Sequence, residues 1–178
     1  EYWTLKLAKL LRIHGKPGNE RGAEKYHRWL EQQIAENAGY HTIAMSLLTA
    51  TGDTEQVGPA NFYRMVDGAR EQAEFTSELF MGSRLRCANC HDHPLDHWTQ
   101  DDYHGLAAIF AKVRQEPIVR VVDGGQVINP RTGKNAIARI PGERYLDDDH
   151  GALQAFARWM VSEDNPYFAK AIVNRLWK

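Results

Sequence analysis

The stretch Cys87-Ala88-Asn89-Cys90-His91 holds the only two cysteines of this 178-residue chain. Two thiols separated by two residues and followed directly by a histidine form the pattern typical of c-type haem attachment. The spacing suits this chemistry, because one helical turn brings both sulfurs to the two vinyl groups of one porphyrin. The histidine that follows can then offer its imidazole to the iron as proximal ligand.

The pattern of apolar residues on both sides of this motif predicts a mainly α fold, with the CxxCH turn lying between helices. Thr99 is expected to cap the helix that follows the motif, and acidic residues in its first turn suit the helix dipole. One small β-hairpin or three-strand excursion is predicted near 117–140, with a glycine turn at 123–125.

Composition and charge exclude several classes of protein. Hydrophobic residues make up 43% and charged residues 25% of the chain, and the formal net charge is −1. We therefore expect no nucleic-acid partner, and no run is long and apolar enough for a transmembrane segment. The chain starts at Glu1 and ends inside a predicted helix, so we expect it to be a piece of a larger protein. A c-type haem would imply a periplasmic or otherwise extracytoplasmic location.

From about Leu47 onward the chain resembles a planctomycete cytochrome c-like domain family of unknown function, followed by the start of the family's usual partner domain. The stretches that carry the resemblance are 47–52, 59–63, 80–94 and 98–103, and for the partner domain 165–169 and 172–177. The resemblance implies an exported protein and a cytochrome c-like fold, but no reaction. On this basis we predict a helical cytochrome c-like domain at 1–116, a β insertion and linker at 117–149, and the partner domain's helical start at 150–178.

The candidate site residues follow from the motif. Cys87 and Cys90 are expected to form two thioether links to haem c, and His91 to bind the haem iron. The second axial ligand or a haem-edge contact is expected from His104, Met81 or His93. His104 lies one turn into the helix after the motif, and only a short glycine-containing link separates Met81 from Cys87.

Two other uses of the motif remain open. Zinc could bind Cys87, Cys90, His91 and His93, although four ligands from seven consecutive residues are cramped. A disulfide between the two cysteines is the other alternative.

The first functional hypothesis is therefore an electron-transfer domain that serves a redox partner protein or an adjacent domain of the same chain. The second is a non-redox scaffold stapled by a metal ion or disulfide, in a polysaccharide-related protein. A catalytic haem enzyme is a third possibility and would need an open iron position. Between the two, an electron-transfer module is favoured over a catalyst.

Overall fold

A computed structural model describes residues 1–14, 18–115, 117–146 and 151–177. The fold is mainly α with a few short antiparallel strands, which confirms the predicted fold class. The α-helices, in chain order, are α1 Tyr2–Leu10, α2 Glu20–Ala35, α3 Tyr40–Leu48, α4 Ala69–Thr76, α5 Gln100–Ala111, α6 Ala152–Met160 and α7 Phe168–Leu176. The strands are β1 Gly52–Asp53, β2 Val113–Arg114, β3 Ile118–Val121, β4 Ile128–Asn129 and β5 Lys134–Asn135. The remaining named elements are the 3₁₀ helices Gly58–Arg64 and Leu85–Asn89 and the π-helical turn Ser77–Met81.

The chain divides into two compact units. The first comprises the described residues of Glu1–Asp67 and Arg114–Arg120, and the second those of Gly68–Val113 and Val121–Lys178. The CxxCH motif belongs to the second unit. The boundaries predicted from sequence stay a prediction, and the one between 149 and 150 lies outside the described residues.

The first unit is built around α2, against which the first 3₁₀ helix packs. Gly58 permits this close approach, because a Cβ added there would lie 2.5 Å from the Cβ of Trp29. Asn61, which is fully buried, donates hydrogen bonds to the carbonyl oxygens of Thr54 at 2.7 Å and Gly58 at 3.1 Å. A buried amide that is left without acceptors is costly, so these bonds fix the loop after β1.

The strand pairing differs from the predicted glycine-turn hairpin at 118–128. β3 pairs antiparallel with β1, with Gly52 opposite Val119 and Asp53 opposite Ile118. β4 and β5 instead form a hairpin of their own. Gly125, which lies in the expected turn, packs closely against the end of α5: a Cβ added there would lie 1.9 Å from the carbonyl oxygen of Ala111. This glycine therefore serves a close approach to the end of α5 rather than a tight turn between paired strands.

The second unit is organised around α5, which is buried along most of its length. Tyr103 on α5 donates a hydrogen bond to the carboxylate of Glu74 on α4, at 2.7 Å. Phe110 meets Phe156 of α6 edge to face, with ring centroids 5.7 Å apart. These contacts make α5 the support for the segment that precedes it in the chain, which contains the CxxCH motif.

The π-helical turn leads directly to that motif. Phe80, within the turn, lies 6.2 Å from Phe168 of α7 between ring centroids. Gly82 ends the turn in the left-handed conformation, with φ +67°, which an L-residue with a side chain rarely adopts. The chain can therefore reverse sharply and enter the 3₁₀ helix that carries Cys87.

Candidate functional site

The second 3₁₀ helix decides which way the two cysteines face. Such a helix has three residues per turn, so side chains at i and i+3 lie on the same face. Leu85 and Ala88 are buried, and Cys87 and Cys90 occupy the opposite, exposed face. The two thiols are not paired with each other. The local geometry therefore presents two sulfurs to solvent, one turn apart.

The imidazole of His91 is exposed and has a defined orientation. Its Nδ1 lies 2.7 Å from the backbone carbonyl oxygen of Asp92. A carbonyl oxygen can only accept a hydrogen bond, so Nδ1 is the donor, and in the neutral imidazole the lone pair is then on Nε2. Histidines that ligate metals are commonly fixed in this way by a hydrogen bond from the other ring nitrogen.

The loop around Cys90 is anchored to the start of α5. The Asn89 carbonyl oxygen accepts hydrogen bonds from Nε2 of His104 at 3.1 Å and from the side-chain amide of Gln100 at 3.3 Å. On the other side of Cys90, the carboxylate of Asp92 accepts the backbone N–H of Gln100 at 2.9 Å. These hydrogen bonds fix the chain on both sides of Cys90.

His104 supports this loop from inside the protein. Its side chain is fully buried, and its Nδ1 has no hydrogen-bond partner among the described residues. Burial lowers the pKa of His104, and the positive charge of Arg70 acts in the same direction, against the hydrogen bond to Asn89. The imidazole is therefore neutral near pH 7, with its proton on Nε2.

The start of α5, to which this loop is hydrogen-bonded, is stabilised by a capping box, and Thr99 is the helix cap as predicted. The Thr99 hydroxyl oxygen accepts the backbone N–H of Asp102, and the Asp102 carboxylate accepts the backbone N–H of Thr99 at 2.9 Å. The other carboxylate oxygen accepts hydrogen bonds from Arg139 Nε and the Gly142 N–H, both at 2.8 Å. Burial acts to raise the pKa of Asp102, but these hydrogen bonds outweigh it and hold the pKa below its ordinary value.

The residues after His91 form a mostly exposed loop. Nδ1 of His93 accepts the backbone N–H of Leu95 at 3.2 Å, and Leu95 itself is 92% exposed. His97 lies between Asp96, 2.7 Å from its Nδ1, and the hydroxyl of Tyr167, 3.0 Å from its Nε2. An exposed leucine between two histidines leaves apolar surface beside the motif.

The other predicted ligands have different surroundings. Met81 is buried at the end of the π-helical turn, whereas Cys87, Cys90 and His91 are exposed. His104 directs its Nε2 to the backbone of the motif loop. The predictions that Met81, His104 or His93 supplies a second axial ligand or a haem-edge contact stay predictions.

A cleft opens beside Cys90. Its volume is about 620 Å³, within the range of small-molecule sites, and its walls are formed by Arg70, Asn89, Cys90, Gln100, Pro130 and Arg131. Arg131 pairs with Asp101 at 2.7 Å, and this contact raises the pKa of the Arg131 guanidinium. Arg70 donates to the carbonyl oxygen of Ile128 at 2.9 Å, while its Nε is buried without a partner among the described residues.

Sequence reasoning did not find the two arginines or the anchoring role of Gln100. The position of Gln100 near the motif could have been inferred from sequence, since it directly follows the predicted helix cap. No local pattern indicates Arg131, because the β4–β5 hairpin brings it to the cleft from 41 positions beyond Cys90.

The described ranges contain no cluster of three or more histidine, cysteine, aspartate or glutamate side chains arranged to hold a metal ion. Zinc binding by Cys87, Cys90, His91 and His93 would therefore require these side chains to move together. The zinc alternative stays a prediction.

The PSCyt2 family, described as a protein of unknown function (DUF1549), matches residues 1–115. This match spans well over half of the chain and includes the CxxCH motif. The chain belongs to the PSCyt2 family. Searches of curated proteins and of solved structures return no match. The PSCyt2 match ends before the predicted partner domain, so that part of the resemblance stays a prediction.

The PSCyt2 match also bears on the candidate site. It covers the motif, the anchor in α5 and Arg70, whereas Arg131 lies beyond its end. None of the helices that the structure describes has the length and apolar character needed to cross a membrane.

Proposed function

We propose that this chain is a c-type haem-binding electron-transfer domain of a larger exported protein. The observation that supports this most strongly is the exposed face of the second 3₁₀ helix. It presents Cys87 and Cys90 one turn apart, and the next residue, His91, leaves the Nε2 lone pair available. Two outward thiols with an adjacent imidazole are the donor set that haem c requires.

Each residue of the motif has a distinct task in this proposal. Cys87 and Cys90 would hold the haem through two thioether bonds, each formed by addition of the thiol S–H across one vinyl double bond with no atom lost. His91 would hold the iron through Nε2, while its Nδ1–H donates to the Asp92 carbonyl and strengthens the imidazole as a donor. When bound, the haem supplies one-electron redox chemistry, and the protein supplies the orientation and electrostatic environment.

The anchoring of the loop fits this task. Hydrogen bonds from Gln100 and His104 fix the residue before Cys90, and Asp92 fixes the residue after His91. A site that is ordered before its cofactor arrives loses less conformational entropy on binding. Leu95, exposed beside the motif, offers apolar surface that a porphyrin could cover.

Thioether attachment also implies a location. Haem c is joined to its protein in an extracytoplasmic compartment, so the proposal includes a periplasmic or equivalent setting. The partner is then a redox protein or an adjacent domain of the same chain.

The test is a pyridine haemochrome spectrum of protein exported from a host that matures c-type cytochromes. We expect one covalent haem per chain in the wild type and in Arg86→Gln, a control at an exposed position of the same 3₁₀ helix. Cys87→Ser combined with Cys90→Ser should abolish covalent haem. A colourless wild-type protein would overturn the proposal.

Mass and elemental analysis of such a colourless sample would separate the alternatives. A mass 2 Da below that of the reduced chain would indicate a disulfide between Cys87 and Cys90. Stoichiometric zinc without iron would indicate the metal-stapled scaffold.

A further inference from the structure

Three side chains of the second unit, Asp96, His97 and Tyr167, are joined in a row by hydrogen bonds. Oδ1 of Asp96 lies 2.7 Å from Nδ1 of His97, and Nε2 of His97 lies 3.0 Å from the hydroxyl of Tyr167. We infer that Tyr167 is a redox-active tyrosine, and that His97 takes up its hydroxyl proton when the phenol loses one electron. This inference goes beyond the proposed function and does not depend on a haem.

The carboxylate of Asp96 sets the direction of both hydrogen bonds. Burial acts to raise the pKa of Asp96, but hydrogen bonds to His97 and the interaction with its charge outweigh burial and hold the pKa below its ordinary value. Asp96 is therefore ionised near pH 7, and a carboxylate can only accept, so Nδ1 of His97 is the donor. In the neutral imidazole the lone pair is then on Nε2, where it accepts the O–H of Tyr167.

This arrangement meets the chemical requirement for oxidising a phenol. Loss of one electron makes the hydroxyl proton strongly acidic, so a base that is already hydrogen-bonded to the hydroxyl can take the proton in the same step. Nε2 of His97 is such a base, and the charge of Asp96 stabilises the imidazolium that forms. Burial, together with the nearby charge of Asp96, raises the pKa of Tyr167, so the phenol keeps its proton until it is oxidised.

The step balances with an oxygen-centred radical as the oxidant. The radical takes one electron from Tyr167 and becomes an anion, while the O–H proton moves to Nε2 of His97. The products in the protein are a neutral phenoxyl radical and an imidazolium paired with Asp96. One electron from a one-electron reductant, with return of the proton, restores the starting state. The site is therefore a renewable one-electron donor for oxidising radicals.

The surroundings hold the two rings in this geometry. The ring of Trp98, which is buried, lies 4.1 Å from the ring of His97 and 5.2 Å from that of Tyr167, between centroids. Oδ1 of Asn165 accepts the backbone N–H of Tyr167 at 2.9 Å, and Nδ2 of Asn165 donates to the Met160 carbonyl oxygen at 2.8 Å. Donor and acceptor are thus aligned before the electron leaves, which favours fast proton transfer.

The experiment oxidises the full chain with a light-generated ruthenium(III) tris-bipyridine complex, with a cobalt(III) ammine as the irreversible electron acceptor. Transient absorption and electron paramagnetic resonance follow the tyrosyl radical. We expect a fast tyrosyl signal in the wild type, with a normal solvent deuterium isotope effect because the proton moves with the electron. Tyr167→Phe should lose this signal. The control Tyr145→Phe should keep it, because the partly exposed hydroxyl of Tyr145 lies near a carboxylate, that of Asp101, and not near an imidazole.

His97→Gln separates proton transfer from a merely structural contact, because glutamine can accept the hydrogen bond but is a far weaker base. We expect this variant to form the radical at least about tenfold more slowly than the wild type. Asp96→Asn is the second variant if His97→Gln does not fold, and it should also slow the step. Added imidazole should restore part of the rate in His97→Ala, since the side chain it replaces is about half exposed.

Two results would overturn this inference. One is a tyrosyl signal that persists unchanged in Tyr167→Phe, and the other is a wild-type rate in both His97→Gln and Asp96→Asn. Neither result bears on the thioether bonds at Cys87 and Cys90. Conversely, a chain without covalent haem would overturn the proposed function and leave this inference intact.

Discussion

Asp102 carries more hydrogen bonds than its position in an acidic sequence run suggests. The sequence pattern predicted first-turn acids that favour the helix dipole. The structure adds that Asp102 is almost fully buried and accepts hydrogen bonds from Thr99, Arg139 and Gly142. One carboxylate therefore joins the start of α5 to a segment about 40 positions further along the chain.

Replacing this carboxylate should be costly. Asp102→Asn removes the charge and one acceptor while leaving Arg139 partly buried, and we expect it to lower the free energy of unfolding by about 2–4 kcal/mol. Urea denaturation at pH 7 measures this, with Asp164→Asn, at an exposed position, as a control expected within about 0.5 kcal/mol of wild type. Because the folded-state pKa is lowered, the contribution is present above the unfolded pKa and lost as the pH falls through the folded one. Equal stability of Asp102→Asn and the control would contradict this role.

His104 gives a prediction in a different pH window. Burial lowers its pKa in the folded state, so the unfolded chain binds more protons just below pH 6.5. Stability should therefore fall as the pH drops from about 6.5 toward the folded-state pKa, by at most about 1.4 kcal/mol per pH unit. Gln keeps a donor near the Nε2 position but does not titrate, so His104→Gln should weaken this decline.

The measurement is urea unfolding of the haem-free chain at pH 7, 6 and 5, with Arg86→Gln, at an exposed position, as a control that leaves every histidine in place. This variant should retain the wild-type pH dependence. If His104→Gln shows the wild-type slope as well, the buried imidazole does not control it.

At the scale of elements, Gly105 fixes how closely the chain packs against α5. A Cβ at this position would lie 2.4 Å from the Cβ of Arg139, closer than any real contact. Because Gly105 has no side chain, the segment that carries Arg139 can pack against α5, where Arg139 Nε donates a hydrogen bond to Asp102. Such a glycine is intrinsically unfavourable inside a helix, so its presence indicates a packing requirement.

Gly105→Ala tests this requirement. Helix propensity alone would make alanine more stable by about 1 kcal/mol, but we expect the steric overlap to dominate and to lower the free energy of unfolding by about 1–3 kcal/mol. Gly124→Ala is the matched control, because no atom lies within 4 Å of a Cβ added there. Thermal and urea unfolding would show the difference, and a stabilised Gly105→Ala would refute the packing argument.

The same element shows how far the sequence predicts the fold. The α5 cap and the mainly α class follow from local spacing, and the structure confirms both. The hairpin expected at 118–128 is wrong, because β3 pairs with β1, more than 60 positions away in the chain. A glycine pair predicts a turn but cannot distinguish it from a close approach, and Gly125 serves the latter.

For the candidate site, the motif was readable from sequence but its support was not. The i, i+3 spacing of the cysteines is a local property, so their common face could be anticipated. Burial of His104 and the approach of Arg131 depend on tertiary contacts. Local patterns therefore identify the groups that would hold a cofactor, whereas the groups that support the motif loop and line the neighbouring cleft come from elsewhere in the chain.

At the scale of the whole molecule, the proposed cofactor should add to stability. Leu95 is 92% exposed beside the motif, and covering it would contribute about 1.5–3 kcal/mol. For a chain of this size, we expect the haem-loaded protein to unfold at least about 3 °C above the haem-free protein.

Differential scanning calorimetry of both forms measures this shift. Leu95→Ser should reduce the difference between the two forms, with little change in the haem-free protein. Equal unfolding temperatures for haem-loaded and haem-free wild type would argue against any apolar contact of the cofactor with this loop.

The outward face shared by Cys87 and Cys90 has a practical consequence for anyone who purifies this protein. Two neighbouring thiols that point into water are open to air and to soft contaminating metals as soon as the cell is broken. In a preparation made without a haem-attachment system, the thiols would be oxidised or would bind a contaminating metal, whichever is faster. The state of the cysteines would then depend on the purification buffer and not on the native cofactor. Samples intended to decide the cofactor should therefore be alkylated or loaded before lysis.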